Sequence, residues 1–450
     1  MTKITSQVAQ FITNTDYENL TIEAKEQAKY CFMDWIGVSM IGASEEASQI
    51  VSHFIKEQDY KKEATIINQN IKTSTFFAAL ANGISSHVLD LDDIYPWGPG
   101  HPSATVIPTA LAMAEKLGSS GVEMLKAIII GFQVQFAIGE AIMPQHYKEG
   151  WHNTSTLGRF GSTSAAASLL KMSTKKTMNA LGIAATSTGG LKGVFGSMSK
   201  SFNAGKAGMD GILAVLLADQ GFDSVEDSLE NNQGFIHVFA SVSNESNVIK
   251  ALKGPLVIER VRPKKYASCY STHSIIECML SIHNQLGYSP KAKDIKSITY
   301  IVHPRCLEIA AISNPVSPLE ARFSTQFCGA SALKKGKMNI EDFSKKDIKD
   351  LEIIHLMYKT NFIVKEEYQK DRKAKAVIEF NNGQKLESSI NLFELTKDRD
   401  KSNENIKKKF NILLSRIKSE NSTRKLKDTI LNLENISNIK EEFIPLLDLK

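Results

Sequence analysis

From its start to about residue 260 the chain repeats one pattern: apolar side chains three and four positions apart, separated by short polar or glycine-bearing joints. After Thr21, for instance, Ala28, Phe32, Ile36 and Met40 recur every fourth residue while Glu23 and Lys25 stay polar. Residues 108–117 read as a short helix with Pro108 in its first turn and Gly118 just past its end. The spans 122–139, 163–171, 174–187 and 210–220 read as helices too, and runs such as SAAAS and NAGKAG let helices approach closely. A chain written this way must bury its apolar surface helix against helix.

The period changes after Pro263. Residues 297–303 (SITYIVH) alternate and are rich in β-branched side chains, as a strand requires. Residues 375–380 and 384–392 form a second alternating pair around Asn382-Gly383, a dipeptide suited to the positive φ angles of a tight turn. Helical stretches at 275–286 and 347–357 lie on either side of the first strand, and 404–417 and 422–433 are helical again. The expected fold is mainly α. A large all-helical domain takes residues 1–262 and 396–450, and a smaller, lid-like α+β domain takes 263–395.

Several function classes are excluded at this level. A net charge of +5, from 54 basic and 49 acidic side chains, is too small an excess for nucleic-acid binding. The N-terminus lacks a basic start followed by an apolar run, and stretches such as AIIIGF read as too short to span a bilayer, so no membrane is expected. Five cysteines without a C-x-x-C pair fit reduced thiols in a cytoplasm, and fit neither a zinc site nor an iron–sulfur cluster.

Four segments combine titratable groups with glycines and small residues. The first runs from Asn82 to Ser103, where Asp90, Asp92 and Asp93 precede a loop with three prolines and two glycines that presents His101 just before a helix. The second places His152 after Trp151 and ahead of a helix start, where free N–H groups favour an anion. The third sets Lys200 and Lys206 among Ser, Gly and Ala, which leaves room for a ligand whose carboxylates the ammonium groups would neutralise. The fourth, 264–273 (KKYASCYSTH), delivers His273 to another helix start. These donors and one acidic cluster suit proton transfer beside a carboxylate: cations hold the acid groups while side chains move a proton.

In order and spacing these segments resemble the MmgE/PrpD family. The resemblance is carried by NGISSHVLDLDD with GHPSATVIPTALAMAE, by GWHNTSTLGRFGSTSAAASLLK, by SKSFNAGKAGMDGILAVLLADQGF, by KKYASCYSTHSIIE and by LEARFSTQF. It implies a cofactor-free, metal-free homodimeric enzyme acting on a small di- or tricarboxylate. Its catalytic residues would be Asp90, His101, His152, Lys200 and His273, in a cleft between the domains. Lys206 and Arg322 would add substrate carboxylate contacts. The first expectation is dehydration of a 2-methylcitrate-like hydroxy tricarboxylate, with Asp90 or a histidine as base and His101 or His273 helping hydroxide leave. Decarboxylation of a cis-aconitate-type acid, or epimerisation of an imino or amino diacid, would use the same donors. A third reading is a homologue that binds without turnover. Three departures from the family pattern bear on the substrate: Ile94 stands where a Thr is common, the stretch between the aspartates and His101 is one residue longer than in the decarboxylases, and ELTKDRDKSNEN replaces a Gly/Pro-rich run before Lys409-Phe410.

Overall fold

The computed structural model describes residues 3–58, 60–95, 100–368 and 372–447. The protein is mainly α, with a small α+β part. Helices α1 (Ile22–Gly42), α2 (Thr75–His87), α3 (Ser103–Leu117), α4 (Gly121–Ile142), α5 (Asn153–Leu169) and α6 (Ser199–Asp219) build the helical body. Thr21 caps α1 by accepting from the Ala24 amide at 3.2 Å. Gly118 ends α3 in the left-handed conformation (φ +64°), as its position suggested.

Two expectations about these helices need correction. Helix α3 starts at Ser103, not near Pro108, and runs through the proline. Its first amide is held by Asp93, so a capping partner ten residues upstream sets the start that the proline had suggested. Helix α4, with 22 residues, is also long and apolar enough to cross a membrane, but 83% of its apolar window is buried inside the protein. It is a core helix.

The small-residue runs do what their size permits. Helices α2 and α6 cross at Gly83 and Gly205, where a Cβ on Gly83 would lie 2.6 Å from the Gly205 Cα. This close crossing brings the end of α2 and the start of α6 together.

Beyond a short hairpin, β1 (Ala64–Ile66) with β2 (Ile71–Thr73), the sheet is formed by β3 (Ile295–Val302), β4 (Thr360–Val364), β5 (Lys373–Phe380) and β6 (Lys385–Asn391). Its order is β4-β3-β5-β6, with β4 parallel to β3 and the other pairs antiparallel. Only Gly383 of the Asn-Gly pair adopts positive φ (+86°). Phe380 bonds Gln384 across a three-residue loop, so the turn is longer than a two-residue hairpin turn. Helices α7 (His273–Leu286) and α8 (Thr325–Lys335) pack with this sheet in a common apolar cluster.

Two large apolar clusters result. One joins residues from Ile4 to Val261 with Ile406 to Leu447, so α9 (Arg399–Leu414) and the chain after it return to the helical body. The other holds the sheet with α7 and α8, and it also takes in Val88, Leu89 and Leu91. Asp90 therefore stands at the seam of two cores, its neighbours anchored in the second cluster and its preceding helix in the body.

Candidate active site

At this seam lies a partly enclosed cavity of about 70 Å³. Asp90, His101, His152 and Lys200, drawn from three of the four segments, line it together. The loop between them contains residues 96–99, which fall outside the described residues.

Asp90 is the hub. Its backbone is left-handed (φ +52°), which Asp and Asn tolerate better than most side chains. The turn points its carboxylate at Lys200 and Lys264, whose ammonium groups stand 2.6 and 3.0 Å from the same oxygen, Oδ1. Lys264 also donates to the Asp90 carbonyl at 2.8 Å. Burial would raise the Asp90 pKa, but the two lysines overcome it and hold the carboxyl well below its ordinary value. So charged, Asp90 is a poor base; its work is to fix two ammonium groups.

His87 extends the array. Lys200 can only donate, so the 2.8 Å contact between its Nζ and His87 Nε2 makes that nitrogen an acceptor. The ring proton is then on Nδ1, which donates to Asp92 Oδ2 at 2.7 Å. Burial, with Lys200 adding to it, pushes the His87 pKa down to about 4, so the ring is neutral. The result is a continuous chain from Asp92 through His87 and Lys200 to Asp90.

His101 sits beside it, its ring 4.7 Å from that of His87. Nδ1 of His101 lies 2.8 Å from the Asp93 carbonyl and 3.3 Å from Asp92 Oδ2. Both are acceptors, so Nδ1 carries the proton and Nε2 is left for the cavity. Burial lowers the His101 pKa, while Asp92 opposes that by favouring the imidazolium. His152, at the N-terminal cap of α5, accepts from the Asn203 amide at 3.1 Å through Nδ1, and so offers Nε2–H. Burial followed by the charge of Lys200 holds it neutral. His87, Asp92 and His101 are groups that can ligate transition metals, and their donor atoms lie within 4.8 Å of one another. Here both rings direct Nδ1 to one carboxylate oxygen, which is a proton-sharing arrangement.

Three sequence-derived residues do not reach the cavity wall. His273 is buried behind it, its Nε2 3.3 Å from the Ser268 carbonyl and its ring between Tyr266 and Tyr270; burial pushes its pKa down to about 3. Lys206 ion-pairs with Asp210 on its own helix, which also holds Arg159, so this lysine is committed elsewhere. Arg322 donates to the carbonyls of Leu89 and Ala267 at 3.0 and 2.5 Å and braces the Asp90 turn; it lines a smaller cavity with His87, Asp90 and Lys200.

Conversely, His87, Lys264, Arg305 and Arg372 belong to the site and were not singled out. His87 reads as the last residue of an apolar helix, and Lys264 as one of two lysines in a loop. The arginines carry no motif. Ile94 lines the cavity and pairs with Arg262 through two backbone bonds of 2.9 and 3.0 Å, which puts an apolar side chain at the cavity wall.

The MmgE/PrpD N-terminal domain model matches residues 6–246, more than half of the chain, and the MmgE/PrpD C-terminal domain model matches 266–435. The chain belongs to the MmgE/PrpD family. Among its curated MmgE/PrpD relatives is the cis-aconitate decarboxylase of Aspergillus terreus, 25% identical with 99% of this chain and 95% of the relative covered. The human cis-aconitate decarboxylase is 28% identical over 79% of this chain and 76% of its own length. A cis-aconitate decarboxylase-like protein of Aspergillus oryzae is 22% identical, with 97% and 96% covered.

Proposed function

We propose that this MmgE/PrpD protein is a cofactor-independent carboxy-lyase that decarboxylates an unsaturated tricarboxylate of the cis-aconitate type. The observation that carries the reading is His101. Its Nε2 faces a cation-rich cavity without a partner among the described residues, while its Nδ1 is backed by the Asp92 carboxylate. Such a ring takes up a proton when a polyanion enters, and can then deliver it to carbon.

The chemistry balances without an added reagent. A carboxylate on the carbon next to a C=C that bears a second carboxylate loses CO₂. The released electron pair shifts the double bond by one position and places negative charge on the carbon beside the remaining acid group. That carbon takes the proton from His101, giving an unsaturated dicarboxylate and CO₂; solvent returns a proton to the ring. Lys200, Lys264 and the His152 N–H stabilise the charge that grows on the conjugated carboxylate.

Dehydration of a 2-methylcitrate-like acid was the first expectation. Decarboxylation is favoured over it because the curated relatives, matched over most or nearly all of the chain, are named cis-aconitate decarboxylases. The test is to incubate the protein with cis-aconitate and with 2-methylcitrate in D₂O. CO₂ release from the first, with one deuterium on one product carbon, is the expected result. Alkene formation from 2-methylcitrate without CO₂, or deuterium exchange alone, overturns it.

A further inference from the structure

The cavity holds basic groups of two kinds. Lys200 and Lys264 share one carboxylate, Asp90, and are bound into the array already described. Arg305 and Arg372 line the same cavity but interact with a different set of neighbours. The Arg305 guanidinium lies 5.0 Å from the Tyr147 ring centroid, and that of Arg372 lies 5.5 Å from the Tyr270 ring centroid. Burial, with the charge of Arg305 adding to it, brings Arg372 down to about 10. Cys269 lines the same cavity.

Arg305 meets no acidic side chain at ion-pairing distance among the described residues, and its Nε is buried without a hydrogen-bond partner. A buried guanidinium N–H without an acceptor is costly, and a second guanidinium nearby adds repulsion. An anion in the cavity would remove both penalties. A carboxylate is the fitting one, because the planar fork of an arginine offers two parallel N–H donors to its two oxygens.

We propose that Arg305 and Arg372 form a carboxylate subsite, separate from the Asp90 array, that selects acids carrying one more carboxylate than the array alone would hold. The inference rests on the lyase reading for the identity of the substrate, and on the cavity alone for the anion. The array does the chemistry, and the arginine subsite chooses the acid.

The test measures binding of saturated acids, which cannot be decarboxylated through a double bond. Titration calorimetry is run with propane-1,2,3-tricarboxylate and with glutarate on wild type, Arg305→Met and Arg305→Lys. Arg305→Met is expected to weaken the tricarboxylate at least ~10-fold and to leave glutarate within ~2-fold, a loss in the range for one hydrogen-bonded charge. Arg305→Lys keeps the charge and recovers part of the loss, which guards against a folding artefact in the methionine variant. With cis-aconitate the loss appears in KM, with kcat little changed. Equal weakening of both acids, or no change in either, overturns the subsite. If the tricarboxylate binds through Arg305 but cis-aconitate releases no CO₂, the subsite stands and the lyase reading falls.

Discussion

The two basic regions of one cavity differ in what their charges already touch. Around Asp90 two ammonium groups share one carboxylate, and the neighbouring imidazole and second aspartate extend the chain of partners. Around Arg305 the guanidinium has an aromatic ring and no acid among the described residues. Prepaired charges are held in fixed geometry, which transition-state stabilisation demands. Charges without an acid partner gain most from a ligand, which recognition demands. On the proposed reading, chemistry and selectivity fall to separate groups lining one cavity.

The sharpest way to break this division is within the array. Lys200→Ala and His101→Ala are each expected to lower kcat/KM for cis-aconitate by at least ~10²-fold, the usual scale for a positioned acid–base or charge-stabilising group. Near-normal turnover in both would place the chemistry elsewhere. His87→Gln should cost less, about 10-fold in kcat, because Lys200 keeps Asp90 while the rigid ring that holds it in line with Asp92 gives way to a flexible amide. Unchanged tricarboxylate affinity in that variant would confirm that the ring positions and does not bind.

Asp93 tests the array's foundation through pH. Burial, only partly offset by hydrogen bonds from Ser103, raises its carboxyl to about 8. Folded Asp93 is therefore protonated where the unfolded chain has released the proton. This contribution is fully present below the ordinary carboxylate range and is lost as pH rises through about 8. Asp93→Asn should remove that dependence: variant minus wild-type stability should rise by up to ~1.4 kcal/mol per pH unit between pH 5 and 7. Parallel denaturation curves across that range would refute the protonated carboxyl. The smallest effect is expected at Lys206→Ala, within ~2-fold of wild-type activity and under ~1 kcal/mol of stability, since its ammonium is a third exposed and pairs on its own helix. A large loss of activity there would return Lys206 to the cavity.

The contrast between Lys200 and Lys206 also marks how far the sequence could be read. Small neighbours correctly indicated a close helix crossing, but six residues turn a helix by roughly 240°, so only one of the two lysines can face a given cavity. Helical periodicity was legible at Ile22–Gly42 and Gly121–Ile142, where apolar residues recur every third or fourth position, while the hairpin 64–73 and helix Thr75–His87 were not read. The first turns of Ser199–Asp219 were missed because Ser, Asn, Gly and Ala write no stripe. Strand Thr360–Val364 was missed because five residues directly after a helix alternate too briefly to stand out. At the site, Asp90, His101, His152 and Lys200 were readable from their constrained surroundings. His87 and Arg305 were not, because their roles depend on partners more than a hundred residues away or on a lack of partners, neither of which local pattern records.

The left-handed backbone at Asp90 also bears on how this enzyme can be lost. Glycine and asparagine are the residues that accept such a conformation most readily. Each is one nucleotide away from an aspartate codon, and each deletes the charge. The substitutions that the backbone resists least at this position are therefore those that unpair both lysines. What guards the position is the cost of leaving two buried ammonium groups without a carboxylate, not the turn itself.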